Sequence, residues 1–108
     1  MGPNAKAVLA SLTDTNLDEL ANFTIHHIDI SCAPDVMTMT LTHTGEQGYV
    51  FYIPNEYAVH VFESMVEAGK PHGLKQCGYY AMRALRIEKF YAFWGQVRMD
   101  LNLSDSFG

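Results

Sequence analysis

Positive charge is scarce in this chain. Seven lysines and arginines stand against twelve aspartates and glutamates, leaving a net charge of −5 over 108 residues. Proteins that hold nucleic acid present a basic face to the phosphates, so this balance argues against that class. Long apolar runs are missing too. No stretch approaches the ~20 apolar residues of a membrane span. The opening MGPNAKAVLASL lacks both the Arg- and Ser-rich character of a transit peptide and the apolar core of a secretory signal, so no targeting sequence is expected in it. Cysteine is nearly absent. Cys32 and Cys77 have no CxxC spacing and read as two free thiols rather than a metal knuckle or redox pair. Histidine is present but scattered. On a strand the adjacent His26 and His27 point to opposite faces, and His43, His60 and His72 lack ligand spacing, so no metal site is expected. Neither GxSxG, HExxH, a P-loop nor GxGxxG occurs.

What is present is the composition of one ordinary globular domain, 48% hydrophobic and 18% charged. Pro3 suits the first turn of a short helix over Asn4 to Leu12, with Val8, Leu9 and Leu12 on one face. Thr13, Asp14 and Thr15 offer capping side chains for a helical turn over Asn16 to Leu20. Phe23 to Ile30 is β-branched and aromatic, and so predicts a strand. From Met37 to Thr44, Met and Leu alternate with Thr, which predicts a half-buried strand with a polar threonine face. The turn Gly45-Glu46-Gln47-Gly48 leads into a further strand, Tyr49 to Ile53, and completes a hairpin. Asn55 is a competent cap for a helix carrying Ala58, Val61, Phe62, Met65 and Val66 at helical spacing, stopped by Gly69 and Pro71. His72 to Gln76 reads as a connector or short strand. A last helix over Gly78 to Phe90 has Ala81, Leu85 and Glu88 on one face. The expected fold is α+β, a small antiparallel sheet with about three helices.

Two separated motifs go beyond this. The segments THTGEQGYVFYIPNEYAVHVFESM and GYYAMRALRIEKFYAFWGQ together resemble the folate-binding domain of the glycine-cleavage T-protein (aminomethyltransferase) superfamily, and GPNAKAVLASL resembles the helix that precedes them there. The resemblance covers about Gly2 to Gln96. Within the superfamily it is nearest the regulatory subunits of mitochondrial pyruvate dehydrogenase phosphatase, then the flavin-dependent dimethylglycine and sarcosine dehydrogenases. It implies a partial folate-binding domain over residues 1–96 and a non-family C-terminal tail over 97–108. It also implies that Glu46, flanked by Gly45 and Gly48, is the pterin-contacting carboxylate. A carboxylate can accept two parallel N–H bonds from an aminopyrimidine edge. Arg86 and Glu88 match the family's Arg-x-Glu, to which a structural role is assigned because residues two apart on a helix do not face one another.

Departures from the family pattern shape the functional expectation. Met82 stands where aminomethyltransferases carry an arginine near the folate, and the family's catalytic aspartate has no counterpart in these residues. The chain is therefore expected to be a non-catalytic fragment of the folate-binding-type domain of a phosphatase regulatory subunit. The alternative is a fragment of a dehydrogenase that passes a one-carbon unit to tetrahydrofolate. No catalytic residue is assigned. Tetrahydrofolate is expected, if at all, only in the full-length protein. By resemblance, the partner is the pyruvate dehydrogenase phosphatase catalytic subunit and the location is the mitochondrial matrix. The aromatic cluster Phe90, Tyr91, Phe93 and Trp94 has no obvious cover, so self-association of the fragment is expected.

Overall fold

The structure is a computed structural model that describes residues 1–91. Phe93, Trp94 and the expected tail over 97–108 lie outside the described residues. Among the described residues the fold is α+β, with three α-helices and a three-stranded antiparallel sheet. The chain divides into two compact units. The first comprises Met1–Thr42 and Glu46–Gln76, and the second joins His43–Gly45 to the stretch from Cys77 onward.

In the first unit, β1 (Ile25–Ile30), β2 (Ala33–Thr40) and β3 (Tyr49–Tyr52) form a meander in sequence order. Ile28 pairs with Val36, and Met37, Thr38, Met39 and Thr40 pair with Tyr52, Phe51, Val50 and Tyr49. The hairpin from β2 to β3 matches the sequence reading, although β2 ends at Thr40. The hairpin joining β1 to β2 was not foreseen. It turns at Ser31 and Cys32, where Ser31 has a φ of 53° and its N–H donates to the Leu12 carbonyl at 2.7 Å.

The threonine face is the reverse of the expectation. Thr38 and Thr40 are buried, while Met37 is exposed. The cause lies upstream, because β2 begins at Ala33 and Val36 is fully buried. Side chains alternate along a strand, so an inward Val36 carries Thr38 and Thr40 inward and turns the methionines out. Threonine tolerates that position because it has valine's branched shape and its hydroxyl finds acceptors. Thr38 Oγ1 donates to the Val36 carbonyl at 3.2 Å. Thr40 Oγ1 donates to the Ala21 carbonyl and accepts from the Thr24 N–H at 3.3 Å.

Helices α1 (Ala5–Ala10) and α2 (Asn55–Gly69) belong to the same unit. Leu9 and Val61 join Leu17, Ile28, Ile30, Ala33 and Val36 in one core, with Tyr49, Phe51, Tyr57 and Met65 packed around it. Fully burying such an aliphatic side chain contributes ~1.5–3 kcal/mol. Phe62, expected on the apolar face of α2, is 53% exposed. It sits one residue, or about 100°, round the helix from Val61, while Tyr57, Val61 and Met65 hold the core at i, i+4 and i+8. Both expected caps move by a residue or more. The turn over Leu17–Glu19 is capped by Asn16, whose side chain accepts from the Asp18 N–H at 3.2 Å, and not by Thr13, Asp14 or Thr15. Pro54, with extended backbone (φ −54°, ψ 141°), precedes α2, so Asn55 is already helical and caps nothing. The stretch 72–76 adds no strand to the sheet.

The second unit carries α3 (Tyr79–Glu88), shorter than the predicted 78–90. Arg86 is its buried residue, Met82 and Arg83 are half-buried, and Ala81, Leu85 and Glu88 are exposed. The face shared by Ala81, Leu85 and Glu88 therefore points out, because the i, i+4 pair Met82 and Arg86 sets the orientation. The Arg83 guanidinium lies 5.7 Å from the centre of the Tyr79 ring, a cation–π distance. Phe90, at φ 50°, is 96% exposed. Among the described residues no helix is long and apolar enough to cross a membrane.

Candidate functional site

The loop between β2 and β3, residues 41–48, carries the residues the family resemblance singled out. Its two glycines are required for different reasons. Gly45 has a φ of +84°, a conformation side-chain-bearing residues rarely adopt, and an added Cβ would stand 3.0 Å from the Cβ of Lys89. Gly48 is buried, and a Cβ there would stand 2.8 Å from the Leu41 carbonyl oxygen. That closeness comes from the loop's own closure, in which the Leu41 N–H donates to the Gly48 carbonyl at 3.2 Å. The Gly2 N–H donates to the Gln47 carbonyl at 2.9 Å, so the chain start braces the tip. Gln47 Nε2 in turn donates to the Tyr49 hydroxyl at 3.1 Å.

Glu46 is half-buried at this tip. It belongs to the first unit, while Gly45 belongs to the second. A carboxylate accepts paired N–H donors, which is the chemistry an aminopyrimidine edge offers. The residues present thus fit the ring system that the family resemblance implies.

Within the second unit, Arg86 Nη2 donates to His43 Nδ1 at 3.2 Å. The bond requires Nδ1 to carry no proton, since a guanidinium only donates. The Arg86 carbonyl accepts from the N–H of Lys89 at 3.2 Å and of Tyr91 at 2.9 Å. Tyr91 and Lys89 are therefore the groups nearest Gly45. Glu88, two residues on from Arg86, is exposed on another side of the helix. Sequence reasoning placed His43 in the alternating strand and weighed it as a metal ligand, and missed its bond to Arg86. Its place two residues before the glycine tip was the available signal.

A separate polar cluster joins Ser31, His60 and Ser64. His60 Nε2 lies 3.1 Å from Ser31 Oγ and 3.4 Å from Ser64 Oγ. Among the described residues no three His, Cys, Asp or Glu side chains gather as a metal site. Cys32 and Cys77 are free and exposed.

Residues 1–102 match the sequence profile of the GCVT N-terminal domain. The chain belongs to that family. It is 42% identical over 104 residues to the mitochondrial pyruvate dehydrogenase phosphatase regulatory subunit of Mus musculus, covering 94% of this chain and 12% of that protein. It is also 42% identical over 96 residues to the aminomethyltransferase of Bacillus velezensis, covering 88% of this chain and 26% of that enzyme. The aminomethyltransferase of Thermoanaerobacter sp. is 37% identical over 94 residues, 87% of this chain and 26% of the enzyme. This GCVT-family chain thus spans between about an eighth and about a quarter of the length of these relatives. It corresponds to part of a folate-binding-type domain.

Proposed function

We propose that this chain serves within a regulatory subunit of mitochondrial pyruvate dehydrogenase phosphatase, as a folate-type binding segment with no catalytic activity of its own. The observation that carries the reading is the 42% identity to the mouse regulatory subunit over 94% of the chain. Met82, half-buried on α3, supports it, because a thioether cannot supply the cationic contact expected of an arginine at that position. In this reading the parent protein works in the mitochondrial matrix beside the phosphatase catalytic subunit. Glu46 would then be the group that contacts tetrahydrofolate.

Aminomethyl transfer is the second reading, favoured by equal identity to the Bacillus velezensis enzyme. Two measurements on the protein that contains this chain separate them. Phosphatase activity of the catalytic subunit should change on adding the protein, and no aminomethyl donor should turn over. Turnover abolished by Glu46→Gln would reverse the assignment. Calorimetry with tetrahydrofolate should show roughly tenfold to hundredfold weaker binding for Glu46→Ala, the loss expected when a charged acceptor is removed. Equal affinity would reduce Glu46 to a turn residue.

A further inference from the structure

Among the described residues, one face of the first unit's sheet exposes several apolar side chains. The pairing register places Ile25, Met39 and Val50 in one row across the three strands, and His27, Met37 and Tyr52 in the next. Ile25 is 54% exposed, Met37 38% and Tyr52 56%. The opposite face of the same strands holds the core, through Ile28, Ile30, Val36 and Phe51. The second row is polar at its β1 end, where His27 Nδ1 lies 3.3 Å from Asp35 Oδ1.

We propose that this outer face is the seat of an amphipathic α-helix supplied by polypeptide that longer GCVT-family members carry outside this stretch. Dimensions select a helix. Three strands spaced ~4.8 Å apart make a shelf ~10 Å across, the width of one helix, and two rows ~7 Å apart match little more than one helical turn. Area argues against a second copy. The exposed parts of these side chains amount to about 300 Å², whereas a specific dimer buries roughly 800 Å² on each partner. A tethered helix needs far less, because a flexible tether holds its effective concentration near the millimolar range. The relatives have the length to provide one, since the matched stretch is only 12% of the mouse regulatory subunit. The helix that fits carries apolar residues at i, i+3, i+4 and i+7, with polar residues at the end that meets His27 and Asp35.

The inference stands apart from the functional proposal, which rests on the Glu46 loop and phosphatase activity and uses none of these residues. Its test uses the full chain with methyl-labelled methionine. The probes are peptides of about 25 residues, several helical turns each, tiled across the mouse regulatory subunit outside the matched segment. Each is added at about 1 mM, the concentration a tether would impose. A peptide that becomes helical should shift the Met37 and Met39 methyl signals, and its apparent affinity should fall at least about tenfold in Tyr52→Lys. Ile25→Lys, on the opposite edge strand, should give the same loss, and circular dichroism of both variants confirms that the sheet is intact. Three outcomes would overturn the proposal. One is no shift from any peptide. Another is a shift that survives both variants. The third is a concentration-dependent dimer of the chain alone that Tyr52→Lys dissolves, which would give the face to a second copy.

Discussion

The two units of this chain are specified in different currencies. In the first, all seven members of the buried aliphatic core come from α1, the sheet, α2 and the turn at Leu17. In the second, the buried residue of α3 is Arg86, and Tyr80, Ile87 and Phe90 stand 81%, 74% and 96% exposed. An aliphatic core draws its stability from area removed from water, without directional demands. A buried arginine depends instead on a small number of hydrogen bonds with fixed geometry. The first kind of order follows from a pattern of residue types. The second depends on which acceptor arrives, and pattern says little about that.

The widest gap between the units should appear on truncating their apolar side chains. Ile30 is fully buried, so Ile30→Ala is expected to cost ~2–5 kcal/mol in urea denaturation, from lost transfer energy plus a residual cavity. Phe90→Ala removes a larger side chain, yet should stay within about 0.5 kcal/mol of wild type because the ring already lies in water. Comparable losses at the two positions would dissolve the contrast. Arg86 reverses the order within the second unit. Arg86→Ala removes a donor to His43, and loss of a charged hydrogen bond is worth ~1.5–3 kcal/mol. Arg86→Lys should recover little, since an ammonium cannot reproduce the guanidinium's planar geometry. Full rescue by lysine would show that only positive charge matters there.

Residue by residue, legibility in the sequence follows the same division. The spacing of Val61 and Met65, the glycine-bounded hairpin and the α+β class were readable because each rests on a period or on a turn residue with one strong preference. The threonine face was misread because Met37 to Thr44 alternates equally well with either face inward. Only the pairing of Ile28 with Val36 decides it. For the candidate site, Gly45, Glu46 and Gly48 were legible as a hairpin tip from the two glycines themselves. The Arg86–His43 bond was not, because it joins residues 43 positions apart and no periodicity spans such a separation. The orientation of α3 was not legible for a related reason. Ala81 and Leu85 form an ordinary apolar pair, and nothing local announces that Arg86 outranks them.

A glycine substitution sharpens the comparison from inside the first unit. Gly69 ends α2, and the Leu74 N–H returns to its carbonyl at 3.0 Å. Alanine in a helix is normally better than glycine by ~0.8–1 kcal/mol. Here the added Cβ would overlap the Leu74 side chain, so Gly69→Ala is expected to destabilise by ~1–3 kcal/mol, as overpacking does. Gly69→Ala combined with Leu74→Ala relieves the overlap and should regain part of that loss. A stabilised single variant would mean that Leu74 moves aside freely, and that the end of α2 is as loosely specified as α3.

The smallest expected effect concerns charge at the edge of the first core. Lys6 bonds Asp18 across α1 and the Leu17 turn, and this hydrogen bond is the main reason the Lys6 amine is held above its ordinary 10.5, with partial desolvation acting against it. Tyr49 packs on Phe51 with ring centres 6.3 Å apart, and burial is the main cause that lifts its phenol above 10.0. Both shifts are upward, so above about pH 10 the folded chain holds more protons than the unfolded one, and stability falls as pH rises. Below 10.0 for Tyr49 and 10.5 for Lys6 each contribution is complete, and each is lost as pH climbs through the raised folded value. Solvent screening keeps the Lys6 part slight. Melting temperatures from pH 8 to about pH 11.5, a range that brackets ordinary tyrosine and lysine titration, should hold level and then decline. Tyr49→Phe should flatten the decline more than Asp18→Asn does, since the phenol is the group withdrawn from water. An identical alkaline decline in wild type and Tyr49→Phe would place the loss elsewhere, and the edge of the aliphatic core would then be as indifferent to charge as its centre.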